Sequence, residues 1–419
     1  MALLLGCVAD DFTGATDLAS MLVRNGMTCV QVIGVPTGPL PEADAVVIAL
    51  KSRTAPVAQA VAESVAAAEA LLAAGAKQLF FKYCSTFDST DDGNIGPVAD
   101  ALLKRLGAGF AIACPAFPAN GRSIYQGHLF VGSRLLNESG MENHPLTPMK
   151  DADLVRVLSR QTDGGVGLVP FAVVEQGAAA IRQAMTKLAE GGRRYAIVDA
   201  VSDAHLHAIG EACASHALVT GGSGVAMGLP GNFRRAGLLP ERSDAAALPK
   251  AEGLCAVVAG SCSRATLGQI GLARDHVPVL ELDALATPDA QALARQALDW
   301  VEGRLAADRP VVIAASAPPE KVAALQQKLG RDAAGTLVEE ALAAVAKGLV
   351  ARGVKRLVVA GGETSGAVVQ RLGVTSLRIG AEIDPGVPWT FAEPVGIHLA
   401  LKSGNFGARD FFLKAFTHG

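Results

Sequence analysis

Val8-Ala9-Asp10-Asp11-Phe12-Thr13-Gly14-Ala15-Thr16-Asp17 is the stretch on which the reading of this chain turns. Leu3, Leu4 and Leu5 lead with Val8 into an apolar run without polar alternation, which reads as a strand covered on both faces. Such a strand has no structural use for two adjacent carboxylates at its carboxyl end. In open α/β sheets that end is where ligands bind. Unpaired charge is costly to bury. Asp10 and Asp11 are therefore expected at a cleft mouth, facing water, metal or substrate, with a helix starting behind them.

The rest of the chain repeats this strand–helix rhythm. Strand-like runs at Cys29–Ile33, Ala45–Leu50, Gln78–Tyr83, Phe110–Cys114, Tyr195–Val198 and Ala217–Val219 alternate with helix-like runs such as Pro56–Ala74, Ile95–Leu106, Gly177–Ala189 and Ala204–Ser215. A second series follows, with strands at Leu254–Ala259, Pro278–Leu282, Val311–Ala315, Arg356–Ala360, Ser376–Ile379 and Ile397–Leu401, and long helices over Ala290–Ala306 and Thr336–Arg352. The fold class is α/β, in two domains, each with a largely parallel sheet flanked by helices. At 419 residues the chain exceeds the size at which one core stops growing. Prolines and glycines at Pro230, Gly231, Pro240 and Pro249 mark the break. The expected division is residues 1–235, a linker over 236–252, and residues 253–419. Pro115–Pro148 interrupts the rhythm and reads as a long irregular loop rich in polar contact residues, including Arg122, His128 and His144.

Hydrophobic residues make up 50% of the chain and charged residues 18%, a balance that supports a large core and excludes disorder. The net charge of −3 carries no basic footprint for nucleic acid, and no Lys/Arg run marks a membrane surface. The seven cysteines are scattered, with no C-x-x-C pair, which suits reduced thiols rather than disulfides or zinc. No signal-like segment and no membrane-length apolar run is present, so a cytoplasmic location is expected.

Three strand ends run into turns of small residues. These are Thr220-Gly221-Gly222-Ser223-Gly224, Gly260-Ser261-Cys262-Ser263 and Gly361-Gly362-Glu363-Thr364-Ser365-Gly366. Each places free backbone N–H groups at a helix start, a ready anion site. Thr364 and Ser365 can cap a helix or donate to phosphate oxygens, whereas Glu363 beside a phosphate needs a metal ion or a ribose hydroxyl. Lys402-Ser403-Gly404-Asn405-Phe406-Gly407 could close over a nucleotide, and Asp384-Pro385-Gly386-Val387-Pro388 reads as a rigid turn. G-x-x-x-x-G-K-[ST] is absent, as is a complete G-x-G-x-x-G. In the first domain Lys82, at a strand end, either binds a substrate carboxylate or snorkels to solvent. With Lys51, Arg53, Asp10, Asp11 and Asp17 it would give a face mixing cations and carboxylates, suited to a small anionic, polyhydroxylated substrate.

The Asp10–Asp17 stretch, the segment Lys82-Tyr83-Cys84-Ser85-Thr86-Phe87-Asp88-Ser89, the Gly361–Gly366 turn and Lys402–Gly407 occur in this order in the four-carbon acid sugar kinase family, which the chain resembles over nearly its whole length. The resemblance implies a two-domain ATP-dependent kinase with its active site in the interdomain cleft. The amino-terminal domain would bind a four-carbon sugar acid and the carboxy-terminal domain ATP with Mg2+. Threonate and erythronate branches carry an aspartate two residues after the lysine, and an arginine–glycine pair further on. Here Cys84 and Phe87-Asp88-Ser89 stand there. With Gly93-Asn94-Ile95-Gly96-Pro97 and Pro115–Arg122, this resembles the 3-oxo-tetronate kinase branch. The resemblance implies phosphorylation of the 4-hydroxyl of a 3-oxo acid.

Carried over by motif, Asp11 or Asp10 would act on the hydroxyl proton. Lys82, Ser85 and Arg122 would bind substrate, with Asp17 and His128 as further candidates. ATP contacts would come from Ser261 or Ser263, from Gly361, Gly362, Glu363, Thr364 and Ser365, and from Ser403 or Gly404. No protein ligand is assigned to the magnesium. The partners are small molecules, without nucleic acid or membrane, and an assembly of identical copies is compatible with this. The rival readings are a D-threonate or erythronate 4-kinase of the same fold, a nucleotide-linked oxidoreductase, and a non-catalytic sugar-acid binder.

Overall fold

The computed structural model describes residues 3–417. The chain divides into two compact units, Met1–Ala246 and Ala247–Gly419.

Unit 1 is built on strands β1 (Leu5–Ala9), β2 (Cys29–Ile33), β3 (Ala45–Ala49), β4 (Gln78–Lys82) and β5 (Ala111–Cys114). A side sheet follows, made of β6 (Arg122–Tyr125), β7 (His128–Val131) and β8 (Arg134–Leu135), and then β9 (Val166–Val169), β10 (Tyr195–Val198) and β11 (Leu218–Gly221). The main sheet has the order β2-β3-β1-β4-β11-β5-β10-β9, and every pairing is parallel. From β1 the chain first winds out to one edge, and then crosses to β4 on the other side. The switch point of this doubly wound sheet therefore lies between β1 and β4, where ligands bind in such folds. Register does the rest. Ala9 is level with Ala49 and with Lys82, so Asp10-Asp11, Ser52-Arg53 and Lys82-Tyr83 leave the sheet side by side.

The helix Phe12–Arg24 buries Ala15, Leu18, Ala19, Leu22 and Val23 against the sheet. Asp11 caps it, and Arg24 in the last turn suits the carbonyl end. Ile95–Leu106 ends at Gly107, whose φ of +61° is the left-handed stop that glycine accepts.

The expected irregular loop at Pro115–Pro148 is instead organised around the antiparallel sheet β6-β7-β8 and short 3₁₀ turns. Its β6–β7 hairpin closes through Gln126 and Gly127, both with positive φ (+51° and +76°), as a two-residue mirror-image turn requires. Glutamine is an unusual first residue for such a turn, which hides the hairpin from a sequence reading. The buried Asp199 holds it in place, accepting from the N–H groups of Gln126, Gly127 and Phe171 at 2.7, 2.9 and 2.8 Å.

Unit 2 contains β12 (Leu254–Ala259), β13 (Val279–Glu281), β14 (Val311–Ala314), β15 (Val354–Ala360), β16 (Ser376–Asp384), β17 (Val387–Glu393) and β18 (Ile397–Lys402). The order is β13-β14-β12-β15-β18-β17-β16. The first five strands are parallel, and β18-β17-β16 are antiparallel. The expected rigid turn at Asp384–Pro388 is shorter than read, with Pro385 and Gly386 joining two strands and Val387 already in β17. Two helix bounds also differ from expectation. The run begun at Ala290 stops at Trp300, and the later helix starts at Arg331, preceded by Pro319–Leu329. On one face of the sheet Val257, Ala259, Val358 and Ala400 pack with Ile270, Phe411 and Phe412.

Candidate active site

The switch point of unit 1 holds a compact charge cluster. Arg53 grips Asp10 through two bonds, Nε to Oδ2 at 2.9 Å and Nη2 to Oδ1 at 2.8 Å. Nη2 also donates to Asp11 Oδ1 at 2.5 Å, and Nη1 lies 3.5 Å from Asp88 Oδ2. This planar fork suits Arg and not Lys. Lys51 next to it is exposed, so the expected pair of cations divides and only Arg53 turns inward.

The three candidate carboxylates differ in character. Burial pushes the Asp10 carboxyl up, against the pull of Arg53. Burial also acts on Asp11, but Arg53, Lys82 and the Gly14 N–H together hold it below the usual carboxylate range. The Asp11 side chain is 29% exposed against 6% for Asp10, so Asp11 is the more accessible of the two carboxylates. Asp17 is pushed up by burial, with Lys82 and a hydrogen bond from Ser223 opposing.

Lys82 does not snorkel. It is 3% exposed, and Nζ donates to the Tyr83 carbonyl at 2.8 Å. Gly14 makes this crowding feasible, because a Cβ there would sit 2.3 Å from Asp11 Oδ1 and 2.8 Å from Lys82 Nζ. After Lys82 the chain turns sharply, with Phe87 and Asp88 both left-handed (φ +65° and +49°) and Thr86 Oγ1 donating to Asp88 Oδ1 at 2.7 Å. Strain of this kind in non-glycine residues collects at functional sites. Phe87 is fully buried against Tyr83 and holds the turn.

Ser85 is half-buried in that turn. Arg122, also half-buried, bonds the Asn120 carbonyl, and its charge reaches Asp17. Its Nε is buried without a partner. His128 stands apart, its Nδ1 2.8 Å from Gln126 O within its own hairpin. The Gly221–Gly224 turn serves the cluster differently from the expected anion cradle. Ser223 binds Asp17, while Gly222 and Gly224 give room to the Pro115 and Ala116 carbonyls, which would lie 2.6 and 2.7 Å from an added Cβ.

In unit 2, Ala259, Ala360 and Lys402 are level, so the turns after β12, β15 and β18 converge. Ser263 caps the helix Arg264–Ala273, accepting from Thr266 N–H at 3.2 Å and donating to the Gly404 carbonyl at 2.6 Å. Its own N–H donates to Ser261 Oγ at 3.2 Å. A Cβ at Gly404 would sit 2.2 Å from that same Oγ. Beside these turns opens a cavity of about 790 Å³. Gly260, Ser261, Gly361, Gly362, Glu363 and Thr364 line its polar end, and Leu285, Val322, Leu325 and Val338 give it apolar wall. Ser263, Ser365, Ser403 and Gly404 lie outside the lining. The first and last buttress it, and Ser365 Oγ is buried without a partner. Burial and the charge of Glu363 push up Glu339, which lines the same space.

Two residues here escaped the sequence reading. Ser316, two residues past β14, is 8% exposed, lines the cavity and has no hydrogen-bond partner for its Oγ. Asp88 joins the Arg53 cluster only through the left-handed turn. A strand end followed by a small polar residue was the available signal for Ser316. Among the described residues no group of three or more His, Cys, Asp or Glu is arranged to hold a metal ion, and no helix is long and apolar enough to cross a membrane.

Comparison with known proteins divides the chain in the same way. A family model for a sugar-binding N-terminal domain matches residues 5–229, and one for a nucleotide-binding C-terminal domain matches residues 256–412. A 3-oxo-tetronate kinase from Burkholderia multivorans is 61% identical over 416 residues, covering 98% of this chain and 96% of that protein. The chain belongs to the four-carbon acid sugar kinase family. Among solved structures, a Haemophilus influenzae protein matches with a TM-score of 0.88 at 44% identity, over 99% of both chains. A Salmonella typhimurium protein described as a putative tRNA synthase matches with a TM-score of 0.92 at 44% identity, over 98% of both. In this chain the charge cluster falls within the sugar-binding match and the glycine-turn cavity within the nucleotide-binding match.

Proposed function

We infer that the chain is an ATP-dependent 3-oxo-tetronate kinase that phosphorylates the terminal 4-hydroxyl of its substrate. One observation carries the reading beyond the family name. The sugar-binding part gathers carboxylates and cations at a sheet switch point, whereas the nucleotide-binding part offers glycine turns beside a cavity of about 790 Å³.

Asp11 orients the hydroxyl and accepts its proton as the bond to phosphorus forms. Asp10 has both oxygens committed to Arg53 and fixes the guanidinium, which in turn fixes Asp11. Lys82 and Arg122 hold the acid group, Ser85 donates to it, and Asp17 accepts from a substrate hydroxyl. Backbone N–H groups of the Gly260 and Gly361 turns stabilise charge on the transferring phosphoryl group. Direct transfer requires the nucleotide held by unit 2 to reach the hydroxyl held by unit 1, with water excluded.

The residues fit a magnesium ion that arrives with the phosphates. Glu363 and Glu339 both line the cavity, and the mutual repulsion of these carboxylates suits a cation. Glu363 and Glu339 would hold it, and it would neutralise phosphate charge. The test is a coupled ADP-release screen across threonates, erythronates and their 3-oxo forms. Turnover of the 3-oxo acids is expected, and turnover of only the saturated acids would overturn the substrate assignment.

A further inference from the structure

Lys402 is an anomaly that the mechanism leaves unused. It ends β18 with a side chain only 1% exposed. Nζ donates to Thr266 Oγ1 at 3.0 Å, to the Ser403 carbonyl at 3.2 Å and to the Gly404 carbonyl at 3.1 Å. An ammonium has three donors and no acceptor, so this cage matches the charged form and leaves a neutral amine's lone pair facing oxygen. Every acceptor is neutral. Burial lowers its pKa to about 8, and the hydrogen-bond partners of Nζ among the described residues carry no charge. A buried cation without a counter-charge is costly unless something supplies one.

The location points to what does. The Gly404 carbonyl that Lys402 binds also accepts from Ser263 Oγ at 2.6 Å and from Thr266 Oγ1 at 2.9 Å. Gly404 in turn presses on Ser261, which lines the cavity. The ammonium thus stands directly behind the turn that the proposed function assigns to the phosphates, and not over the nucleotide as a closing lysine would.

We propose that Lys402 is a positioning residue whose counter-ion is the bound nucleotide's phosphate charge, so that nucleotide binding draws a proton into unit 2. In the free protein near pH 8 part of the population carries a neutral amine and a loosened Ser403–Gly404 turn. Arriving phosphates favour the ammonium, which restores the cage. This rests on unit 2 binding nucleotide.

Calorimetry of ADP binding to the full chain, in buffers of differing ionisation enthalpy, reads the proton directly. About half a proton per ADP is expected at pH 8, falling toward zero at about pH 6.5 and rising toward about pH 9. Lys402→Arg keeps the charge but cannot release it, so it should bind ADP with no such uptake. Lys402→Met should weaken ADP binding by about tenfold or more. Normal ADP binding without uptake overturns the proposal, as does equal uptake by Lys402→Arg. No ADP binding by the wild-type chain would instead sink the kinase reading. Should Lys402→Met fail to fold, the arginine variant decides alone.

Discussion

At the strand ends of unit 1 the polar groups are mostly charged side chains, and at the strand ends of unit 2 they are mostly backbone N–H groups and hydroxyls, with Lys402 set behind them. The first arrangement suits a small acid with few atoms, each needing its own partner. Its cost is that Asp10, Asp11, Asp88, Arg53 and Lys82 must neutralise one another before substrate arrives. The second suits a polyanion, which is met by many weak donors that need no neutralising, Lys402 behind them excepted. The difference teaches where each site is fragile, since unit 1 depends on a few side chains and unit 2 on the shape of its turns.

The sharpest way to break this comparison is Asp11→Ala, which should lower kcat by about 10²–10⁴-fold while the KM for ATP stays put. Because Asp11 is held low, its own protonation should cut kcat only below the usual carboxylate range. Asp10 is pushed up and holds Arg53 against Asp11, so a limb at higher pH that Asp10→Asn leaves unmoved would assign the base elsewhere. Arg53→Leu strands buried carboxylates, so chemical denaturation should show a loss of about 3 kcal/mol, recovered in part by adding Asp10→Asn. Gly404→Ala should raise the KM for ATP about tenfold through its clash with Ser261 and leave the sugar-acid KM unchanged, as steady-state kinetics would show. Glu339→Gln works in two directions. Raised in the fold, Glu339 opposes folding at neutral pH, and that penalty lifts as pH falls through its raised pKa. The variant should therefore gain about 2 °C in Tm at pH 7 without ligand, yet need more magnesium for half-maximal rate. Smallest is Ser316→Ala, with a rise in nucleotide Kd of about fivefold, because its unpartnered Oγ would donate to the nucleotide in the cavity that it lines.

Much of this was legible because charge at the end of a buried strand is conspicuous. Asp10, Asp11 and Lys82 are neighbours only through parallel pairing, and their apolar runs predicted that pairing. The Arg53 fork was not legible in detail. It depends on the register of β1 with β3 and on Arg53, not exposed Lys51, turning inward. The hairpin carrying Arg122 and His128 was hidden by Gln126 in a left-handed turn, and β17 by Pro385, Gly386 and Pro388, which read as a longer break. Ser316 has no pattern of its own, since only a cavity wall distinguishes it from any serine after a strand.

Asp199 gathers three backbone N–H groups from two separate segments, and Ile124 and Ala200 exchange both of their N–H···O=C bonds beside it. The arm that presents Arg122 is thereby stapled to the exit of β10. Hydrogen exchange at Gln126, Gly127 and Phe171 should then occur with one shared opening rate, and the arm should come loose as a whole or stay docked.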